Sequence, residues 1–280
     1  DETLKYSLSK TCFDGSAEDL MMTEITQPAI YAVSYVLFRL LEKNGIDGAL
    51  AAGHSLGEYT ALTCAGSLAF EDGLRITQDR GRFMQIATPP SHGKMAALIG
   101  GTSESVEQLC EDSSVHGVVE PANYNTPEQT VISGEAHAVD VACLQAPAYQ
   151  IKRIVPLKVS APFHCSLMKP AAEMLWKDHL AGLKTLPLKF PVVSNRLAEF
   201  YPSHEAVPAL LRDQVDHPVR WWPGLKQMAA AGADIFIEVG PGKVLRGFNR
   251  TVLPDKKTYN AGTIRELETA VEELRAHVQT

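Results

Sequence analysis

Apolar positions along the chain alternate between helical and strand spacing. From Thr26, the residues Ile30, Val33, Leu37, Leu40 and Leu41 recur at helical intervals, and Gly45 marks the stop. Ile46–Ala52 is a short apolar run of strand type. It ends in Gly53-His54-Ser55-Leu56-Gly57, and a helical segment from Glu58 to Ala65 stops at Gly66. A further helix is predicted over Glu71–Ala87, with acids at its start as the helix dipole favours. From Lys94 the pattern shortens. Met95–Ile99 reads as strand, Ser103–Asp112 as helix, and Gly117–Glu120 and Gln129–Ser133 as strands around a loop at Asn123–Pro127. Glu135–Gln145 is helical again and Ile151–Val159 strand-like. This β-α-β-β-α-β order is that of a small ferredoxin-like unit. Residues 93–158 are therefore expected to form an inserted subdomain, with 1–92 and 159–280 forming a larger α/β one.

After the insertion, Ser160–Cys165 is predicted as a loop entering a helix from Ser166 to Leu183. Phe190–Ser194 is read as a strand, Leu225–Ala231 as a helix, and Ile235–Val239 as a strand ending at Gly240-Pro241-Gly242. A charged amphipathic helix spans Thr263–Val278. Residues 1–20 carry no strong period.

Composition narrows the function classes. The chain has 280 residues, 45% hydrophobic and 21% charged, with a formal net charge of −7. That acidity argues against nucleic acid and anionic membranes as partners. The apolar runs are too short to span a bilayer. Five scattered cysteines without a C-x-x-C pair indicate neither a zinc site nor a disulfide framework, and read as free thiols of a reducing cytoplasm. No signal peptide is visible. The sequence opens at Asp1 without Met, which reads as a missing beginning.

Gly53-His54-Ser55-Leu56-Gly57 is a G-x-S-x-G pattern between a strand and a helix. A residue at such an apex adopts a strained backbone, so Gly53 and Gly57 are expected to provide room. The helix would direct its first amides at an oxyanion beside Ser55. The turn is either a nucleophile elbow or a tight structural turn. In the Glu71–Ala87 helix, Ile76, Phe83, Met84 and Ala87 share one face with Arg80. An inward arginine needs an anionic or polar partner. That partner is either a buried carboxylate of the protein or a substrate carboxylate, which suits the guanidinium fork. A nucleophilic serine also needs a base. His54 adjoins Ser55 but should point away from it. His92, His116, His137, His179, His204 and His277 lie in polar stretches expected to be exposed, and His217 precedes a proline. His164, in an apolar, Pro-restricted segment, is the candidate base; the alternative is a satisfied histidine at a helix start.

Four segments occur in order: Gly53-His54-Ser55-Leu56-Gly57-Glu58-Tyr59, Asp79-Arg80-Gly81-Arg82-Phe83-Met84-Gln85, Ala161-Pro162-Phe163-His164-Cys165-Ser166-Leu167-Met168 and Glu238-Val239-Gly240-Pro241-Gly242-Lys243-Val244-Leu245. As a set they resemble the malonyl-CoA:acyl carrier protein transacylase family, which includes the acyltransferase domains of fatty acid and polyketide synthases. The resemblance extends from about Gln27 to about Arg250. It implies an α/β-hydrolase-like large subdomain with an inserted ferredoxin-like one, and ping-pong malonyl transfer from coenzyme A to a carrier protein's phosphopantetheine thiol. It implies no bound cofactor, and a monomer or part of a larger synthase. Carried over by motif, Ser55 is the nucleophile, His164 its base and Arg80 the malonyl-carboxylate ligand. A main-chain carbonyl at Gln214 orients the histidine, Asn195 and His54 border the substrate, and the Leu56 amide is one oxyanion donor. Leu56 and Phe163 resemble malonyl-selective members, Phe163 filling the space of an α-methyl group. The family's N-terminal strand and Gly-Gln-Gly-Ser-Gln loop, source of a second oxyanion amide, have no counterpart in this sequence. Their absence is expected to leave open sheet edges. Two other readings compete: a serine thioesterase or hydrolase, and a truncated, non-catalytic domain that binds a carrier protein. Lys152, Arg153 and Lys158 could serve an acidic carrier, or form an ordinary solvated face.

Overall fold

The computed structural model describes residues 1–159 and 161–278, with side chains to 276. Ser160, at the head of the loop leading to His164, lies outside the described residues, as do Gln279, Thr280 and the side chain of His277.

Residues 1–20, aperiodic in sequence, fold as two short helices, α1 (Leu8–Asp14) and α2 (Ala17–Met21). Serines start both: the Lys10 amide donates to Ser7, and Ser16 and Asp19 form a reciprocal capping box. The long helix α3 (Thr23–Lys43) buries Tyr31, Leu37 and Leu41. It begins before Thr26 and carries Pro28 within it. Next come β1 (Ala51–Ala52), α4 (Leu56–Cys64) and α5 (Phe70–Ile86). β1 is shorter than the Ile46–Ala52 run because only its last two residues face a partner strand. α5 lies very close to α3. A Cβ at Gly73 would sit 2.1 Å from the Tyr31 hydroxyl, and one at Gly81 2.4 Å from the Thr23 carbonyl. That proximity carries Arg80, on the buried stripe with Ile76, Phe83 and Met84, up to Gln27 of α3.

The next stretch builds its own antiparallel sheet from β2 (Gly93–Ile99), α6 (Ser103–Ser113), β3 (Val119–Thr126), β4 (Gln129–Glu135), α7 (Ala136–Gln145) and β5 (Arg153–Pro156). The spatial order is β3-β4-β2-β5, every neighbour antiparallel. Strand alternation divides its residues. Ala96, Leu98 and Ile132 pack under Val106, Leu109, Ala138 and Val139 of the two helices. Met95, Ala97, Ala122 and Val131 face the other way, against Phe163. The Asn123–Pro127 segment, expected as a loop, is strand as far as Thr126. Its turn-like residues are accommodated by two irregularities in register and by a second partner: Val219 N donates to Ala122 O at 2.9 Å, and Tyr124 N to Val219 O at 2.8 Å.

The expected Ser166–Leu183 helix is instead a 3-10 turn, then α8 (Lys169–Leu175), then a π turn over Trp176–Leu180. There follow β6 (Val192–Val193), α9 (Val207–Asp213), α10 (Trp221–Ala230), β7 (Ile235–Val239), α11 (Val244–Val252), β8 (Lys257–Ala261) and α12 (Ile264–Val278). β8 lacks a strand pattern and forms because β7 offers five parallel partners in register. β1 pairs with β6, also in parallel. Among the described residues, β1 pairs only with β6 and β7 only with β8, in two separate two-stranded sheets. A cavity of about 1290 Å³ lies against β1 and β7, walled by Ile30 and Ser34 of α3 and by Trp221, Leu225 and Phe248.

Candidate active site

Ser55 occupies the N-cap of α4 with φ 53° and ψ −109°. That conformation is costly for a residue with a side chain and persists only when its surroundings impose it. Gly53 makes it possible: a Cβ there would fall 1.9 Å from the Gly57 carbonyl carbon. Gly57 departs from expectation, because a Cβ there would meet nothing within 4 Å. Its backbone is what Gly53 must clear, and its own missing side chain opens onto the cavity. Leu56 is the first residue of α4, so its amide belongs to the group that helix geometry leaves without an intrahelical acceptor.

Two side chains converge on the serine hydroxyl. Ser55 Oγ lies 2.7 Å from His164 Nε2, and Arg80 Nη2 donates to the same oxygen at 3.0 Å. His164 Nδ1 donates to the Gln214 main-chain carbonyl at 2.9 Å. That bond leaves Nε2 as the unprotonated nitrogen facing the hydroxyl. His164 is 3% exposed and also has a positive φ of 61°. Burial, reinforced by the Arg80 charge, pushes its pKa down to about 3, so it is neutral near pH 7.

Arg80, 2% exposed, finds amides and not a carboxylate. Nη1 donates to Gln27 Oε1 at 2.7 Å and Nη2 to Gln214 Oε1 at 2.9 Å, while the guanidinium lies over the Tyr59 ring at 5.3 Å. Arg80 Nε is buried without a partner. A cation so held has its charge available to an incoming anion.

Asn195 spans the serine turn. Its Oδ1 accepts from the Ser55 amide at 2.7 Å, and its Nδ2 donates to Gly53 O at 2.7 Å. Gln214 Nε2 donates to Ser55 O at 2.7 Å. His54 turns away from the hydroxyl, bonding Asn125 Oδ1 through Nε2 at 2.8 Å and lying 5.6 Å from the Trp221 ring. Phe163 is half-buried between the core around α4 and α5 and the β2–β4 face. Of the other histidines, His217 is tied to Asp213 O and Asp216. His179 is not exposed as expected but half-buried, 2.7 Å from Asp79, a partner supplied from another helix and invisible in local sequence.

Sequence reasoning missed Gln27, Glu58 and Tyr201. Glu58 is fully buried beneath the serine turn. Ser55-x-x-Glu58 has the spacing of a capping box, but no side-chain cap forms, and the carboxylate turns inward to Tyr201, Gln214 and the Asn195 amide. Gln27 stands on the buried face of α3 between apolar neighbours, a signal that could have been read.

A serine hydroxyl shared between an oriented imidazole and a guanidinium, at the head of a helix, is the equipment of an enzyme that transfers acyl groups through an acyl-serine ester. The chain belongs to the acyl transferase domain family, which matches residues 2–277. It is 39% identical over 276 residues to the malonyl CoA-acyl carrier protein transacylase of Bacillus subtilis, covering 98% of this chain and 87% of the relative. To the protein of the same name from Escherichia coli K12 it is 41% identical over 251 residues, covering 89% and 81%. Among solved structures, the complex of a type II polyketide synthase acyl-carrier protein with its malonyl-transacylase superposes with a TM-score of 0.93 at 37% identity, over 97% of this chain and 88% of that one.

Proposed function

We propose that this chain transfers a malonyl group from coenzyme A to the phosphopantetheine thiol of an acyl carrier protein. The observation that carries the reading is the shared Ser55 Oγ: His164 Nε2 accepts its hydrogen bond while Arg80 reaches the same oxygen. Ser55 Oγ attacks the malonyl thioester carbonyl as His164 takes its proton. The tetrahedral oxyanion is met by the Leu56 amide. The intermediate collapses, the C–S bond breaks, and the leaving coenzyme A sulfur takes the proton from His164. The carrier thiol then gives its proton to His164 and attacks the malonyl-serine ester; the ester C–O bond breaks and the leaving Ser55 Oγ takes that proton back from His164. No bound cofactor takes part. The malonyl carboxylate displaces amide partners from Arg80. By offsetting its charge it lifts the depressed His164 towards the range where a base works well. Asn195 and Gln214 hold the serine turn and the imidazole, while Phe163, Leu56 and His54 border the acyl group. Phe163 disfavours an α-methyl substituent by about 1–3 kcal/mol.

The β2–β5 sheet with its own apolar cluster supports treating 93–158 as an inserted subdomain and 1–92 with 159–280 as the catalytic one. No helix among the described residues is long and apolar enough to cross a membrane. The five free cysteines fit a cytoplasmic location. A mass-spectrometric assay tests the activity. Malonyl-CoA should leave a malonyl adduct on Ser55, absent in Ser55→Ala and discharged onto added carrier protein. Release of free malonate in place of malonyl-carrier would turn the assignment to a hydrolase, and no adduct would sink the mechanism.

A further inference from the structure

Glu58 has no part in the proton transfers above, yet it is the most enclosed charged group near them. Its relative exposure is 0%. Oε1 accepts from the Asn195 amide at 3.0 Å and from the Tyr201 hydroxyl at 2.6 Å, and Oε2 accepts from Gln214 Nε2 at 2.8 Å. Burying a carboxylate is expensive, and such groups persist where their bonds do something an apolar residue cannot. Here both residues that hold the nucleophile turn are themselves held by Glu58.

We propose that Glu58 is a positioning residue for malonyl transfer, fixing the amide polarity of Gln214, and through it the Arg80 fork, while anchoring the Asn195 backbone that supports Ser55. The proposal rests on the malonyl-transfer reading. An amide side chain offers one donor end and one acceptor end. Because ionised Glu58 accepts only, Gln214 must present Nε2 to it and to Ser55 O. Oε1 is then turned to Arg80 Nη2. The polarity of one buried carboxylate thus propagates to the guanidinium that would meet the malonyl carboxylate.

Glu58→Gln is nearly isosteric but reverses this logic. A glutamine has one acceptor end where Glu58 has two: with its oxygen toward the Asn195 amide and Tyr201 it sets its own amide nitrogen against Gln214 Nε2, and turned over it sets that nitrogen against the Asn195 amide. Relief by turning Gln214 over removes the acceptor from Arg80 and faces an oxygen to Ser55 O, and relief by turning the new amide over leaves the Asn195 backbone unanchored. Relative to the parent, kcat/KM for malonyl-CoA is expected to fall by about 10–100-fold, the effect of leaving one or two buried polar groups unmatched. The drop for acetyl-CoA should be about tenfold smaller, because acetyl does not use the Arg80 fork; both rates are normalised to titrated active sites. Equal losses for the two substrates would show a merely structural role and overturn the proposal, as would rates within about twofold of the parent.

Tyr201→Phe gives a second reading that survives if Glu58→Gln does not fold. Burial raises the Glu58 carboxyl to about 7, against which the Tyr201, Gln214 and Asn195 hydrogen bonds and the Arg80 charge all act. The titratable groups facing it are Tyr201, Tyr59 and Arg80. His164, held near 3, is already neutral throughout this range in the free enzyme. Without the tyrosine hydroxyl the carboxyl rises further. The acid limb of malonyl kcat/KM, which reports the free enzyme, should move up by about half a pH unit or more. An unmoved limb refutes the role. A parent that forms no malonyl-serine ends the transfer reading and the proposal with it. A parent that transfers malonyl alongside an equally active Glu58→Gln ends the Glu58 role alone.

Discussion

Arg80→Ala is the sharpest test of how substrate is chosen. The guanidinium is 2% exposed, so water cannot take its place at the carboxylate. Its two terminal nitrogens now bond Gln27, Gln214 and Ser55, and each can turn to an anion at the same distance range. A hydrogen bond to a charged group is worth about 1.5–3 kcal/mol. A two-point grip, less the amide bonds it replaces, therefore comes to about 3–4 kcal/mol, or about 10²–10³ in kcat/KM for malonyl-CoA. Acetyl-CoA presents no carboxylate. For it the loss of the Arg80–Ser55 bond is countered by relief of His164, because the Arg80 charge is the second cause of that histidine's low pKa. Acetyl transfer should change by about fivefold or less, so the malonyl-to-acetyl ratio falls by about two orders of magnitude. The assay is competition between the two thioesters, read as acyl-serine by mass spectrometry. Arg80→Lys should recover only part of the preference, since an ammonium cannot form the fork. A ratio unchanged within about threefold in Arg80→Ala would refute carboxylate selection by this residue.

Two further outcomes follow from the serine turn and the groups beneath it. Gly53→Ala places a methyl 1.9 Å from backbone atoms of Gly57 and should lower the melting temperature by several degrees, whereas Gly57→Ala, with open space, should leave it nearly unchanged; equal effects would contradict the turn geometry. Stability against pH should show two buried groups in opposition. His164, near 3 in the folded state and 6.5 as a free side chain, leaves the unfolded state binding more protons between those values, so stability rises with pH there. Glu58, raised from 4.5 to about 7, does the reverse between those values. The two slopes offset between about 4.5 and 6.5, so denaturation free energy should be flat there and fall below. In Glu58→Gln a rising slope should appear between about 4.5 and 6.5, and its absence in urea titrations would contradict the assignment.

Much of this site was legible in the sequence because its signals are local. The strand–turn–helix spacing of Gly53-His54-Ser55-Leu56-Gly57 specifies an apex serine. The helical stripe around Arg80 fixes which face it takes, and both follow from backbone periodicity alone. The βαββαβ order of 93–158 was readable for the same reason, as each strand carries its own alternation. From residue pattern His164 was the candidate base, with a satisfied histidine at a helix start as the other reading, and motif resemblance decided between the two. What pattern could not supply was contact between distant segments. Nothing near Glu58 announces that Tyr201, Gln214 and Asn195 will close over it. Nothing in Lys257–Ala261 marks a strand until β7 lies beside it, and the Asn123–Thr126 stretch becomes strand only by pairing with Val219. Sequence periodicity determined which side chains turn inward. Tertiary structure decided which of them meet, because a hydrogen bond between residues far apart in the chain exists only once loop closure and packing have brought both ends to the same buried place.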